Sequence, residues 1–129
     1  MMAQVTAAAL TSENKSIAHP ASVDSIPTSA NQEDHVSMAT FAARRLLTML
    51  DNTVNIVAIE LLAAAQGVDF HHPQTSSPAL ESVIASLRAV SPAYAEDRSM
   101  SADIARVAAL IEQGLFCDHA ASILPSLSA

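Results

Sequence analysis

Residues 29–66 read SANQEDHVSMATFAARRLLTMLDNTVNIVAIELLAAAQ, and Gly67 follows. The segment opens with a polar cluster and continues as a mostly apolar run without Gly or Pro. Such a run favours one long helix from about residue 34 to residue 66, which Gly67 would close. We therefore predict an all-α fold, a helical bundle around this long central helix, with any function at the polar entrance.

Apolar residues of this segment recur at helical spacing. Two neighbouring rows consist of Val36, Ala43, Leu50 and Val57 and of Thr40, Leu47, Val54 and Leu61, and a third row lies beside them with Leu46, Met49, Ile56, Ile59 and Ala63. A helix that is apolar over most of its circumference must be covered on several sides. A membrane span is the alternative, but Asn52, Asn55 and Glu60 interrupt the run, so the spacing favours a bundle helix.

The polar entrance carries signals for the start of a helix. Ser29 and Gln32 have the spacing of a capping box, and Asn31 is a second candidate cap. Glu33 and Asp34 would then lie in the first turn, where the helix dipole stabilises each carboxylate by roughly 0.3–1 kcal/mol.

Composition limits the classes of function. The 129 residues allow one domain at most, 50% of them are hydrophobic and 3% are aromatic, which favours helices over sheets. A formal net charge of −7 argues against nucleic acid and membrane surfaces as partners. Lone Cys117 and an N-terminus without a basic signal-peptide region predict a cytoplasmic protein.

The long helix is too long for a domain of this size. From residue 34 to residue 66 it would extend for roughly 50 Å at ~1.5 Å per residue. A compact domain of this chain length is only about 35 Å across. We therefore expect helices from another chain or chain segment to cover it.

Further helices are predicted on both sides of the long one. They cover about residues 3–16, 78–90 and 102–113, with a short tail helix at 117–123. Ser77 followed by Pro78 is a cap with proline in the first turn, Ser101 is a second cap, and Gly114 is a helix stop.

Glu33, Asp34 and His35 form the one dense ionisable cluster. They either cap and solvate the helix, or they present a carboxylate to an N–H or cationic ligand. His71 and His72 lack the i, i+4 spacing of helical metal pairs, so we predict no metal site. Neither the Cys117-Asp118-His119 run nor Tyr94, without an identifiable partner, indicates a catalytic residue.

The segments Gln4–Leu10, Ser12–Lys15 and above all Ala18–Met38, with its Gln-Glu-Asp-His motif, resemble the C-terminal part of the histidine ammonia-lyases. These enzymes are a branch of the aromatic amino acid lyase family. The resemblance continues through Ala42–Arg45 and Ile59–Ala64 and more loosely to the last helix.

The resemblance implies a homotetramer of long, roughly parallel helices that removes ammonia from L-histidine to give trans-urocanate in histidine degradation. It implies that Glu33 binds the substrate imidazole, with Gln32 and Met1 as possible pocket neighbours. Helices of the N-terminal part of the lyase, or of sister subunits, are the implied partners.

One requirement of the family is missing from this sequence. The family electrophile, a methylidene-imidazolone, forms from an internal Ala-Ser-Gly, but Gln66 and Gln113 precede the two glycines. We therefore expect no cofactor and no catalytic residue in this chain, which alone should be inactive, as a split gene product or fragment. The alternative is a non-catalytic helical module that associates with a full-length lyase.

Overall fold

The computed structural model describes residues 1–120, and within them the predicted all-α class is confirmed. The helices are α1 (Met2–Ile17), α2 (Ala39–Asp69), α3 (Pro78–Val90), α4 (Ser101–Glu112) and α5 (Cys117–Ala120). Two single turns, Ala21–Val23 and Ser29–Asn31, lie between α1 and α2. Two compact units divide the chain between Thr53 and Val54, inside α2.

In the first unit, a polar network joins α1 to α2. The buried Asn52 donates from Nδ2 to Glu13 Oε2 at 3.1 Å and to Asn14 Oδ1 at 2.9 Å. Asn14 in turn donates from Nδ2 to the backbone oxygen of Met49 at 3.1 Å. No residue of α1 is fully buried, and this polar network links the helix to α2.

The second unit contains the apolar core. Its buried members come from α2, α3 and α4 and are Ala58, Leu62, Ala65, Leu87, Val107 and Ala108. Each fully buried Leu or Val contributes about 1.5–3 kcal/mol of transfer free energy. The core therefore holds the second half of α2 against α3 and α4.

The start of α2 differs from the prediction. The helix begins at Ala39 rather than near residue 34, and no acidic residue lies in its first turn. Ser29 and Asn31 do not cap it, because both have positive φ and lie in a separate turn. Instead the hydroxyl of Ser37 accepts the N–H of Ala39 at 3.3 Å.

The end of α2 also differs from the prediction. The helix continues through Gly67 to Asp69, so Gly67 is an interior residue rather than the stop. The predicted inward rows are split: Val54 and Leu61 pack against the core, whereas Leu47, Leu50 and Val57 are exposed. The buried face of α2 passes instead through Ala58, Leu62 and Ala65, one position away from the predicted row.

The caps of the shorter helices follow the sequence in part. Ser77 accepts the N–H of Leu80 at 3.4 Å, with Pro78 at the first helical position, and Gly114 follows α4 with φ +74. Ser101 is the first residue of α4 rather than its cap, a position that Met100 occupies. The predicted tail helix is described only as Cys117–Ala120, and its remainder lies outside the described residues.

Among the described residues, α2 alone is long and apolar enough to cross a membrane, judged by length and composition. Only 22% of its most apolar window is buried in the structure. The apolar surface of a helix of this kind is ordinarily covered by other protein segments or by lipid.

Candidate functional site

Residues 25–36, between α1 and α2, form a loop that we call the Glu33 loop. Hydrogen bonds close this loop at two places, at its base and near its tip. At its base, the Ser25 hydroxyl donates to the Val36 oxygen at 3.1 Å and accepts the Val36 N–H at 2.9 Å. Nearer the tip, Thr28 and Glu33 exchange two backbone hydrogen bonds, of 3.0 and 3.3 Å. The loop is thus held by its own hydrogen bonds.

Three of the four residues between Thr28 and Glu33 have a left-handed backbone, and Gln32 is right-handed. Ser29, Ala30 and Asn31 have φ of 54, 55 and 69. For residues other than glycine this conformation costs roughly 1–2 kcal/mol each, with Asn the most tolerant of the three. All three side chains are exposed, so packing within this chain does not explain the strain.

Glu33 ends this turn, and its side chain is exposed. Its backbone is fixed on both sides, since its N–H donates to Thr28 and its carbonyl accepts from Thr28. The side-chain carboxylate makes no hydrogen bond or ion pair within the part of the chain that the structure describes. The carboxylate is therefore available to a ligand, in a loop rather than in the predicted first turn of a helix.

The structure brings Gln32 but not Met1 to the same element as Glu33. Gln32 lies in the loop, with its N–H donated to the Ser29 oxygen at 3.1 Å. Met1 is fully exposed and precedes α1, where its oxygen accepts the Val5 N–H. The sequence carries no local signal for the left-handed backbone of Ser29 and Ala30, since neither serine nor alanine favours positive φ.

A cavity of about 780 Å³ lies in the same unit, between the connector after α1 and the first turns of α2. Ile17, Val23, Met38 and Phe41 give it apolar walls, and Arg45 contributes the cation. Arg45 donates from Nη1 to the His19 carbonyl, and its guanidinium carbon lies 5.5 Å from the Phe41 ring centroid. The arginine thus ties α2 to the connector that leads into the Glu33 loop.

A second polar cluster centres on Asp103, in the other unit. Its carboxylate accepts from Ser91 Oγ at 3.0 Å, Arg106 Nη2 at 2.6 Å and Arg98 Nε at 3.2 Å. Burial by itself raises the pKa of Asp103, but the hydrogen bonds from these three residues and the charge of Arg98 outweigh burial and hold that pKa below its ordinary value.

Tyr94 does have a partner, contrary to the expectation from sequence. Its hydroxyl donates to the Arg98 oxygen at 2.7 Å and accepts the Arg98 N–H at 3.0 Å. The Arg98 guanidinium also stacks 4.8 Å from the centroid of the Tyr94 ring. Both residues therefore order the irregular segment between α3 and α4, which indicates a structural role.

The histidines and the cysteine do not form a cluster of metal-ligating groups in the part of the chain that the structure describes. His72 lies 3.7 Å from Asp69 Oδ1, and the same carboxylate pairs with Arg88 at 2.6 Å through its other oxygen. Cys117 is a free, exposed thiol. Over residues 1–120, no three His, Cys, Asp or Glu side chains are grouped as a metal site would require.

The chain is similar in sequence to curated proteins that share one name. The histidine ammonia-lyase of Desulfotalea psychrophila is 62% identical over 130 residues, which cover 99% of this chain and 25% of that protein. The histidine ammonia-lyase of Rhodospirillum rubrum is 62% identical over 116 residues, which cover 90% of this chain and 23% of that protein. The chain thus spans about a quarter of the length of these curated relatives.

Solved structures of similar proteins superpose on nearly the whole chain. The histidine ammonia-lyase of Trypanosoma cruzi superposes with a TM-score of 0.90 at 46% identity, over 98% of this chain and 25% of that one. The tyrosine aminomutase of Streptomyces globisporus gives 0.84 at 35% identity, over 98% and 24%. A family model described as aromatic amino acid lyase matches residues 1–89, which is more than half of the sequence. The chain therefore belongs to the aromatic amino acid lyase family.

Proposed function

We propose that this chain is part of a histidine ammonia-lyase and that Glu33 binds the imidazole of L-histidine. The observation that carries the proposal is the Glu33 loop, whose backbone is fastened twice while the carboxylate stays unpaired within the described residues. An ionised carboxylate only accepts hydrogen bonds, so it selects a ligand with an N–H group. The imidazole of histidine supplies such a donor.

The identity of the relatives supports histidine over other amino acids. Relatives with histidine ammonia-lyase in their names reach 62% identity, whereas the tyrosine aminomutase reaches 35%. A carboxylate left without its N–H partner in a closed site costs about 1–3 kcal/mol. Glu33 would therefore favour histidine over aromatic substrates that lack a ring N–H.

The reaction is the non-oxidative elimination of ammonia from L-histidine to give trans-urocanate. The family electrophile, a methylidene-imidazolone, forms from Ala-Ser-Gly, and the residues present do not fit it, because Gln precedes both glycines. The contribution of this chain is to bind and orient the imidazole through Glu33, with Gln32 as its neighbour in the loop.

The remaining parts of such an enzyme would come from partners. Helices of the N-terminal part, or of sister subunits in a homotetramer, would cover the exposed apolar face of α2, where Leu47 and Leu50 are exposed. Covered in this way, α2 is a bundle helix of a cytoplasmic enzyme rather than a membrane span.

The test is a complementation experiment. The chain is mixed with the part of the Desulfotalea psychrophila relative that it does not match, and it is also inserted into that relative in place of the matching segment. Urocanate formation, followed by its ultraviolet absorbance, is the expected result in the chimera. An inactive chimera together with two pieces that do not associate would favour the non-catalytic module.

The role of Glu33 is tested in the active chimera. Glu33→Ala should raise the KM for histidine about tenfold or more, because a charge-assisted hydrogen bond to the substrate is lost. The thermal midpoint should stay within a few degrees of the parent. Asp34→Ala is the matched control on the neighbouring exposed carboxylate, and it should leave the KM unchanged. A loss of stability as large as the loss of histidine binding would make Glu33 a structural residue.

A further inference from the structure

The left-handed turn before Glu33 is maintained without help from the core. Ser29, Ala30 and Asn31 all have positive φ, and all three are exposed. Strained backbone of this kind persists when its surroundings fix it, and it concentrates at functional sites. Here the fixing contacts are the reciprocal hydrogen bonds between Thr28 and Glu33.

We infer that this turn is the positioning element of Glu33 and that Ala30, at its centre, is a positioning residue. The inference rests on the proposed function, because it concerns the carboxylate that binds imidazole. Three left-handed residues reverse the chain within the few positions between Thr28 and Glu33. The reversal brings the two backbones into hydrogen-bonding distance, so it sets the direction in which Glu33 leaves the loop.

The closure at the base supports the same reading. Ser25 fixes Val36 through two hydrogen bonds, so both arms of the loop start from a defined separation. Within that frame, the orientation of Glu33 depends on the conformation of the turn residues. Asn31 tolerates positive φ through its short polar side chain, whereas Ala30 has no such compensation. Ser29 has a positive φ as well, and Ala30 is the central residue of the three, so Ala30 is the position whose side-chain type we vary.

The experiment compares substitutions at Ala30 that differ in their tolerance of positive φ. Valine is β-branched and avoids this region, whereas asparagine enters it readily. Ala30→Val should raise the KM for histidine in the active chimera about tenfold, with kcat within about twofold, because histidine binds to a misplaced carboxylate. Ala30→Asn should keep the parental KM. Ala18→Val is the matched control, since Ala18 is exposed and has an ordinary φ of −71.

Hydrogen exchange on the 129-residue chain gives a second readout that does not need activity. Peptides that contain the Thr28 and Glu33 amides should be protected in the parent and in Ala30→Asn, and they should exchange fast in Ala30→Val. Protection that survives in Ala30→Val would overturn the inference, since the turn would not depend on Ala30.

The two proposals fail in different ways. If Ala30→Val loses protection but keeps its KM, while Glu33→Ala raises the KM, the positioning inference is wrong and the proposed function stands. If Glu33→Ala itself leaves the KM unchanged, the proposed function is wrong, and the positioning inference falls with it.

Discussion

At the residue scale, Asp103 is the one described carboxylate that is buried, with 2% of its surface exposed. It joins α4 to the segment before it, because Ser91, Arg98 and Arg106 all donate to it. Arg98 also donates to the carbonyls of Pro92 and Ala93. Asp103 and Arg98, together with the Tyr94 hydroxyl, therefore order the connection between α3 and α4.

Asp103→Asn should destabilise this part of the chain by about 1–2 kcal/mol, because a neutral amide replaces the shared anion of two partly exposed guanidinium groups and places an NH2 group against their donors. Urea unfolding followed by circular dichroism measures the change. Asp97→Asn, an exposed substitution in the same segment, is the control and should change the free energy of unfolding by less than about 0.5 kcal/mol. Equal effects of the two variants would show that the cluster contributes nothing specific.

The same residue gives a pH dependence with a definite sign. The pKa of Asp103 is lower in the folded chain than its ordinary value of 3.8, so the ionised form is stabilised by folding. This stabilisation is complete above pH 3.8 and is lost as the pH falls through the folded pKa. We expect the difference in stability between the parent and Asp103→Asn to shrink below that pH.

The sequence indicates Glu33 but not the neighbours that place it. The Gln-Glu-Asp-His motif is recognisable because its residues are chemically distinctive. The left-handed conformation of Ala30 depends on hydrogen bonds between Thr28 and Glu33. Residue propensities do not predict these hydrogen bonds. For the same reason the sequence does not indicate the hydrogen-bond partners of Tyr94, since they depend on the path of an irregular segment.

At the scale of elements, the spacing of apolar residues predicts that the helices form. It does not predict where α2 begins and ends. The polar cluster before α2 offers two candidate caps by sequence, Ser29 and Asn31, whereas Ser37 is not among them. The turn at Ser29–Asn31 removes both, so the helix starts beyond Ser37. At the other end, a glycine stops a helix only where the backbone turns left-handed, and Gly67 stays helical.

The two glycines provide a matched pair of substitutions. Gly67→Ala should stabilise α2 by about 0.5–1 kcal/mol, because Gly67 is helical and an added Cβ meets nothing within 4 Å. Gly114→Ala should lower the free energy of unfolding by about 1 kcal/mol, because φ at this position is +74. An added Cβ would lie 3.8 Å from Cys117 Sγ, which is an ordinary contact, so the loss comes from backbone strain. Thermal midpoints by circular dichroism measure both changes. A loss of stability at Gly67 would mean that this position does not lie in a helix interior.

At the scale of the whole molecule, α2 exposes an apolar surface that the proposed partner helices would cover. The helix of 31 residues is about 46 Å long at ~1.5 Å per residue. Leu46, Leu47 and Leu50, which we call the α2 patch, are 57%, 67% and 60% exposed. Contiguous exposed leucines mark interaction surfaces in soluble proteins. The apolar pattern predicted this need for covering, although it placed some of these residues on an inward face.

Leu50→Lys should therefore prevent assembly without unfolding the chain. A lysine in a closed apolar interface must lose its hydration without gaining a partner, which costs several kcal/mol, whereas at an exposed position it costs little. We expect the isolated variant to keep its helical circular dichroism signal but to lose association with the remaining part of the Desulfotalea psychrophila relative, measured by light scattering. Ala105→Lys adds the same charge at an exposed position on α4 and is the control. If both variants associate as tightly as the parent, the α2 patch is not the surface that the rest of a lyase covers, and the membrane alternative for α2 would need a direct test with lipid vesicles.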